Sequence, residues 1–111
     1  MMCGSAKVEF AIALFNGDGI QKDEARAAAL FRQAALHGNP VAQNRLARIL
    51  AVGRGVAKDP IEAGAWHILA RSNSVPDPWL DQLLNELPAA ERAAAERRAQ
   101  AWREGQAAPR T

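Results

Sequence analysis

The chain is poor in cysteine and in aromatic residues. It has one cysteine, no tyrosine and an aromatic fraction of 5% over 111 residues. The single cysteine, Cys3, excludes an internal disulfide and any metal cluster held by several cysteines. The longest apolar run near the start, residues 10–15, is far too short to cross a membrane. The first four residues lack the charged and then apolar pattern of a secretory signal, so we expect a cytoplasmic protein without a membrane partner.

Alanine is abundant instead, and apolar residues make up 49% of the chain against 23% charged residues. This balance is ordinary for a globular protein, and 111 residues are enough for one domain with a modest core. Alanine has the highest helix propensity, so the composition favours closely packed helices over a β-sheet. The net charge of only +2 and the scarcity of aromatic side chains that could stack on bases argue against nucleic-acid binding.

One stretch of the chain occurs twice. Gly-Asp-Gly-Ile-Gln-Lys-Asp begins at Gly17, and Gly-Arg-Gly-Val-Ala-Lys-Asp begins at Gly53, which is 36 positions further on. The register holds on both sides of the stretch, where identical pairs include Ala6/Ala42, Ala11/Ala47, Leu14/Leu50, Ala27/Ala63 and Ala34/Ala70. A fixed period of this length predicts an array of helical repeats with two helices in each unit.

Each copy has the features of a turn between two helices. A glycine follows the last apolar position of a helix, where a left-handed residue commonly ends it. A second glycine two residues later allows another unusual dihedral or a close approach of two backbones. An aspartate then stands where the N-cap of the next helix belongs. We expect these roles for the pairs Gly17/Gly53, Gly19/Gly55 and Asp23/Asp59.

The pattern predicts six helices in a single helical-repeat domain that covers residues 6–104. The expected helices cover residues 6–16, 24–37, 40–52, 60–71, 78–86 and 89–103. The expected units are a first repeat over 6–38, a second repeat over 39–74, and a degenerate repeat with a terminal cap over 75–104. We expect residues 1–5 to be an irregular lead and residues 105–111 to be a disordered tail.

Apolar side chains at helical spacing predict which helix faces turn inward. In the first helix the expected stripe consists of Ala6, Phe10, Ala13 and Leu14. In the fifth helix the expected apolar side consists of Trp79, Leu83 and Leu84. In the last helix the expected seam consists of Ala90, Ala94, Ala101 and Trp102. So thin a seam suits a helix that caps the end of an array.

The two units share the pattern Ala-x-x-x-Leu/Phe-Ala-x-x-Leu-x-x-Gly-x-Gly-Val/Ile-x-x-Asp-x-x-x-Ala-x-x-Trp/Leu-x-x-x-Ala over residues 6–71. This pattern resembles the Sel-one-like repeat, a relative of the tetratricopeptide repeat. Trp66 is the tryptophan that is common at this position in the family, whereas the first unit has Leu30 there. Leucine also replaces a common tyrosine at Leu14 and Leu50. These are size-compatible changes in a core and leave the expected fold unchanged.

The resemblance implies an all-α, right-handed superhelix (solenoid) of two helical hairpins, followed by a degenerate third helix and a capping helix. It also implies an adaptor or scaffold that holds other proteins together, in bacteria often within signalling or envelope assemblies, and it does not imply catalysis. By resemblance to tetratricopeptide packing, the first helix of each hairpin lines a concave face that binds a peptide or partner protein. The residues that this implies are Val8, Ile12, Phe15, Asn16, Asn44, Arg48 and Val52.

Residues with catalytic or metal-binding chemistry are few. His37 lies at a predicted helix C-terminus, where the helix dipole favours an imidazolium, and His67 is a packing or groove residue beside Trp66. Neither has a carboxylate three or four positions later that would form a metal pair or an oriented base. We therefore expect no catalytic residue, metal or cofactor. The alternative is an enzyme or small-ligand protein that uses the same groove, with His67 and carboxylates around a closed pocket.

Charges are segregated along the chain. Residues 25–58 contain no acidic residue, and residues 72–91 contain no basic residue. One interpretation is that these are solvated helix faces. The other is that a basic patch including Arg45 and Arg48 binds an acidic peptide, or that a basic and an acidic end attract each other between protomers.

The first helix has no predicted helix in front of it. Val8, Ile12 and Phe15 lie on faces that the stripe of Phe10 and Leu14 does not use, so they have no expected neighbour within one chain. A contiguous apolar patch commonly marks an interface. We therefore expect a second copy, a partner protein or upstream residues to cover this helix, unless it merely frays.

Overall fold

Six α-helices and no strand make up the part of the chain that the structure, a computed structural model, describes: the backbone of residues 3–105 and the side chains of residues 7–104. The helices are α1 (Cys3–Asn16), α2 (Glu24–Leu36), α3 (Pro40–Val52), α4 (Pro60–Ser72), α5 (Pro78–Glu86) and α6 (Ala89–Gly105). Each of the first four helices packs on the next, and α4 also packs on α5 and α6. The molecule is therefore an all-helical solenoid of two hairpins, closed at one end by α5 and α6.

The sequence predicted all six helices, and α3 and α5 have the predicted bounds. Because α1 begins at Cys3, the prediction of an irregular lead over residues 1–5 is wrong from residue 3 onward. Gly4 lowers helix stability there without ending the helix. Gly105 is the last residue of α6, so the predicted disordered tail is wrong at that position. Residues 1–2 and 106–111 lie outside the described part of the chain.

The two Gly-x-Gly turns adopt the same backbone conformation. All four glycines are left-handed, with φ of 77° at Gly17, Gly19 and Gly53 and 78° at Gly55. The N–H of Asp23 donates to the carbonyl oxygen of Leu14 at 2.8 Å, and the equivalent bond from Asp59 to Leu50 measures 2.9 Å. Each turn is thus closed back onto the helix that it leaves.

Four helices begin at a side chain that caps the helix. Its oxygen accepts a hydrogen bond from the backbone N–H three residues later, at 3.0–3.3 Å. The capping residues are Asp23 for α2, Asn39 for α3, Asp59 for α4 and Asp77 for α5. Proline occupies the first position of α3, α4 and α5, where a backbone N–H would have no hydrogen-bond partner within the helix.

The second turn lies against the first repeat. A β-carbon added to Gly55 would overlap the carbonyl oxygen of Glu24 at the start of α2. At Gly19, the equivalent residue of the first turn, no described residue beyond its two chain neighbours has a heavy atom within 4 Å of the same position. The two glycines share one backbone conformation and differ in what is packed against them.

Small side chains dominate the core. The largest fully buried side chains are those of Phe31, Leu46, Leu80 and His67, and most of the other buried residues are alanines. Small side chains allow helix axes to approach closely, because the distance between packed helices depends on the side chains at the contact.

The first helix buries a different stripe from the predicted one. Val8 and Leu14 are buried, and Ile12 and Phe15 pack partly buried against the core, whereas Phe10 is 41% exposed. The predicted inward orientation of Phe10 is therefore wrong. The prediction that Val8, Ile12 and Phe15 have no neighbour within the chain is also wrong. The physical reason is that α3 is packed between α2 and α4, whereas α1 makes its main contact with α2.

The fifth helix is held on α4 by apolar and polar contacts. Leu80 is fully buried and Trp79 is 45% exposed, so the predicted inward position of Trp79 is wrong. The fully buried His67 donates from Nε2 to a carboxylate oxygen of Asp81 at 2.6 Å, and Arg71 donates to the same oxygen at 3.0 Å. The bond from His67, reinforced by that from Arg71, holds the pKa of the Asp81 carboxyl below its ordinary value.

The terminal helix α6 packs on α4 through a seam of its own. Ala95 and Ala99 are buried in it. The prediction was wrong for Ala90 and Ala101, which are exposed, and Ala94 is half-buried. Trp102 is half-buried and stacks on Trp66, with the ring centroids 4.3 Å apart and the planes inclined by 34°.

Candidate partner-binding groove

A groove runs between the first helices of the two hairpins. It has a volume of about 300 Å³, opens to solvent and is bordered by α1, α3, the second turn and α5. The residues that line it are Ile12, Phe15, Asn16, Phe31, Arg45, Arg48, Ile49, Val52, Arg54 and Trp79. This volume is at the lower end of the range for sites that enclose a ligand.

The floor of the groove is apolar. Phe31 and Ile49 are buried at its base, and Ile12 is half-buried. Val52 and Trp79 are more exposed to solvent, at 50% and 45%. Apolar area of this kind is removed from water when a partner places a side chain against it.

Arg48 links α3 to the start of α5. It donates to both carboxylate oxygens of Asp77, at 2.6 and 2.9 Å, and Asn44 donates to the same carboxylate at 2.8 Å. Burial of the Asp77 carboxyl opposes its ionisation, but these bonds and one from the N–H of Leu80 outweigh that effect and lower its pKa from 3.8 to about 2. The guanidinium also lies 5.1 Å from the ring centroid of Trp79. The charge of Arg48 is therefore matched within the chain.

Arg54 is held in the same manner on the opposite rim. It forms an ion pair with Glu24 of the first repeat, in which Nε lies 3.1 Å from the carboxylate oxygen. Its hydrogen bond to Glu24 holds the pKa of that carboxyl below its ordinary value. The guanidinium lies 4.6 Å from the ring centroid of Phe15. The side chain thus fixes the second turn against both α1 and α2.

Arg45 differs from the other two arginines of the groove. It is exposed, and no hydrogen bond or ion pair joins it to another of the described residues. The groove therefore offers one positive charge that the described part of the chain does not neutralise.

The groove contains six of the eight residues expected to bind a partner, and their role in binding stays a prediction. Val8 is instead part of the core. Asn44 is half-buried and donates a hydrogen bond to Asp77. Four further residues line the groove and were not among those predicted to bind a partner: Phe31, Ile49, Arg54 and Trp79. Ile49 could have been found, because it lies four residues after Arg45 and three before Val52 on one face of α3.

The lining, as far as the structure describes it, contains no carboxylate, histidine, serine or cysteine. His67, the residue on which the enzyme alternative depended, is fully buried and bonded to Asp81 outside the groove. Among the side chains of residues 7–104, no group of three or more histidine, cysteine, aspartate or glutamate residues is placed to hold a metal ion. None of the helices described is both long and apolar enough to cross a membrane.

The fold and its open groove define a class of protein, the helical-repeat scaffold. The chain belongs to the Sel1 repeat family, whose model matches residues 6–39 and 40–74. Members of this family are generally protein–protein interaction modules without enzymatic activity. The resemblance that the repeated pattern indicated is thereby confirmed.

Solved structures that are similar to the chain include the following two. One is a protective antigen present in uropathogenic Escherichia coli strains that displays an SLR fold, with 32% identity and a TM-score of 0.85 over 91% of this chain. The other is a Sel1 repeat protein from Oxalobacter formigenes, with 24% identity and a TM-score of 0.64 over 92% of this chain, and it supports the fold alone. The chain spans 22% of the first protein and 42% of the second. No match was found among curated proteins.

Proposed function

We propose that this protein is an adaptor that binds a short segment of a partner protein in the groove. The segment places one large apolar side chain on the floor and an acidic residue near Arg45. The observation that carries this proposal is the combination of an apolar floor with a single arginine whose charge no described residue neutralises.

The apolar side chain provides most of the binding energy in this proposal. Val52 and Trp79 are about half exposed and line the same space as Ile12 and Ile49. Burial of one leucine or phenylalanine side chain is worth roughly 1.5–3 kcal/mol. The surrounding helices are already fixed by the Arg48–Asp77 pair, so little ordering is required on binding.

The acidic residue provides selectivity more than affinity. Arg45 is solvent-exposed, and an exposed ion pair contributes only about 0.2–1 kcal/mol. Charge complementarity at a rim raises the association rate and excludes wrong partners. Arg48 already forms an ion pair with Asp77, so its charge is matched within the chain. The acidic partner that the sequence predicted therefore requires only one carboxylate, near Arg45.

Peptides selected on the chain from a random display library test this proposal. We expect enrichment of a large apolar residue with Asp or Glu a few positions away. Arg45→Glu is expected to weaken the best peptides by about 3–10-fold through charge reversal, and Val52→Asp by at least about tenfold through loss of the apolar floor. Fluorescence anisotropy of labelled peptides measures both effects.

Arg97→Glu is the matched control, because it makes the same charge reversal on the exposed side of α6, outside the groove. All three variants should retain the helical circular dichroism of the parent chain. Selected peptides that bind Val52→Asp as tightly as the parent chain would show that the site lies elsewhere.

A further inference from the structure

The free side of the first hairpin forms a second surface, here called the N-terminal face. It consists of Phe10, Leu14, Ile20 and Arg26 together with the first turn, and it contains a depression of about 440 Å³. Phe10 and Ile20 are each 41% exposed. This face is separate from the groove, since none of its residues lines the groove.

The repeat shows what a surface of this shape accommodates. The equivalent surface of the second hairpin has Leu46 where Phe10 stands and Leu50 where Leu14 stands, and both leucines are buried. The helix that packs there is α2, the second helix of the preceding hairpin. We call this contact of α2 with α3, the second turn and the start of α4 the internal joint.

The turns support the same equivalence. At the internal joint the start of α2 lies so close to Gly55 that a β-carbon would overlap it. Gly19 has the same left-handed conformation, with φ of 77°, and its α-carbon faces open space. The N-terminal face therefore has the clearance that the start of another helix requires.

The charges of the two surfaces are opposite. Two ion pairs cross the internal joint: Glu24 with Arg54, and Arg32 with Glu62, whose atoms lie 2.7 Å apart. At the N-terminal face the place of Arg54 is taken by Asp18, and the place of Glu62 is taken by Arg26. Both charges are thus reversed relative to the internal joint. A copy of α2 docked on the N-terminal face would place Glu24 beside Asp18 and Arg32 beside Arg26, so like charges would meet at both positions.

We propose that the N-terminal face docks a helical hairpin of the same repeat class that has the reverse charges. The second helix of this hairpin has a basic residue at its first position, opposite Asp18, and an acidic residue eight positions later, opposite Arg26. This surface and its occupant are independent of the peptide-binding groove.

An array of three hairpins tests the proposal in one chain. A duplicate of residues 3–38 is placed directly before residue 3, which preserves the 36-residue period. In one form the duplicate has its own charges, and in the other it contains Glu24→Arg and Arg32→Glu. Each form is joined to two versions of the original chain, one unchanged and one with Asp18→Arg and Arg26→Glu. All four arrays have the same net charge, and effects of single residues on their own helices cancel in the cycle.

The two arrays with opposite charges across the new joint are expected to melt about 4 °C or more above the two with like charges. Amide exchange in α1 is expected to be slower in the two matched arrays than in the unfused chain. Equal melting temperatures in all four arrays would overturn the charge assignment. Exchange in α1 as fast as in the unfused chain would overturn the docking of a hairpin.

Two further measurements separate this occupant from others. Gly19→Val in the original first hairpin is expected to lower the melting temperature of a matched array more than that of the unfused chain. Only the array places the start of a helix against the new β-carbon. An equal loss in both would count against the proposed geometry. The unfused chain is expected to sediment as a monomer at tens of micromolar, and a dimer that Phe10→Asp abolishes would assign the face to a second copy instead.

Discussion

Valine in place of Gly55 is expected to lower the free energy of unfolding by about 3 kcal/mol. Two effects add at this position. The left-handed φ of 78° strains any β-branched residue, and the new β-carbon would overlap the carbonyl oxygen of Glu24. That oxygen belongs to the backbone of a packed helix, so it cannot move aside as a flexible side chain would. Urea unfolding followed by circular dichroism measures the loss.

Gly19→Val is the matched control for the overlap. It has the same strain, with φ of 77°, but among the described residues only its own chain neighbours come within 4 Å of the new β-carbon. The strain alone is expected to cost about 1–2 kcal/mol. If both variants lost the same stability, the contact between the second turn and α2 would contribute nothing to folding.

Asparagine in place of Asp77 is expected to destabilise the chain by about 2 kcal/mol at neutral pH. The substitution keeps an oxygen that can cap α5, since asparagine caps helices about as well as aspartate. It removes the negative charge that two nitrogens of Arg48 bind. Asp23→Asn is the control, because Asp23 caps α2 without an ion pair among the described residues, and it should change stability by less than about 0.5 kcal/mol.

The effect of Asp77 should depend on pH. Its pKa in the folded chain is about 2, below the ordinary value of 3.8. A carboxyl whose pKa is lowered by folding stabilises the fold above its unfolded pKa, and that stabilisation is lost as the pH falls through the folded pKa. The difference between parent and Asp77→Asn should therefore be full at pH 6 and shrink between about pH 4 and pH 2. A difference unchanged at pH 2 would contradict the assignment to this ion pair.

The repeat made most of the fold predictable from the sequence. Local signals mark the helix ends, and in the structure aspartate, asparagine and proline stand at the starts and left-handed glycine at the turns. The register of 36 residues then requires equivalent helices in both hairpins, so an error in one unit would conflict with the other. The resemblance to tetratricopeptide packing, and not the register, indicated Ile12 and Val52, which line the groove.

What the repeat does not specify could not be predicted. The pair of Arg48 with Asp77 joins α3 to the start of α5. The residues 36 positions earlier are Ile12 and Val41, which cannot form an ion pair, so no periodic signal indicates this contact. The rotation of α5, which buries Leu80 and exposes Trp79, depends on tertiary packing against α4. The exposure of Phe10 is an effect of position in the array, because its equivalent Leu46 has the same pattern and is buried.

The stack of Trp66 and Trp102 makes the closure of the array visible by optical spectroscopy. The indole rings lie 4.3 Å apart, close enough for their electronic transitions to couple, and the chain has only one other tryptophan and no tyrosine. Coupled indoles produce a paired positive and negative band in the far-ultraviolet circular dichroism spectrum, which separation of the rings abolishes. Loss of that band before loss of the helical signal would show α6 leaving the solenoid while the two hairpins remain folded, and Trp102→Phe supplies the spectrum without the couplet.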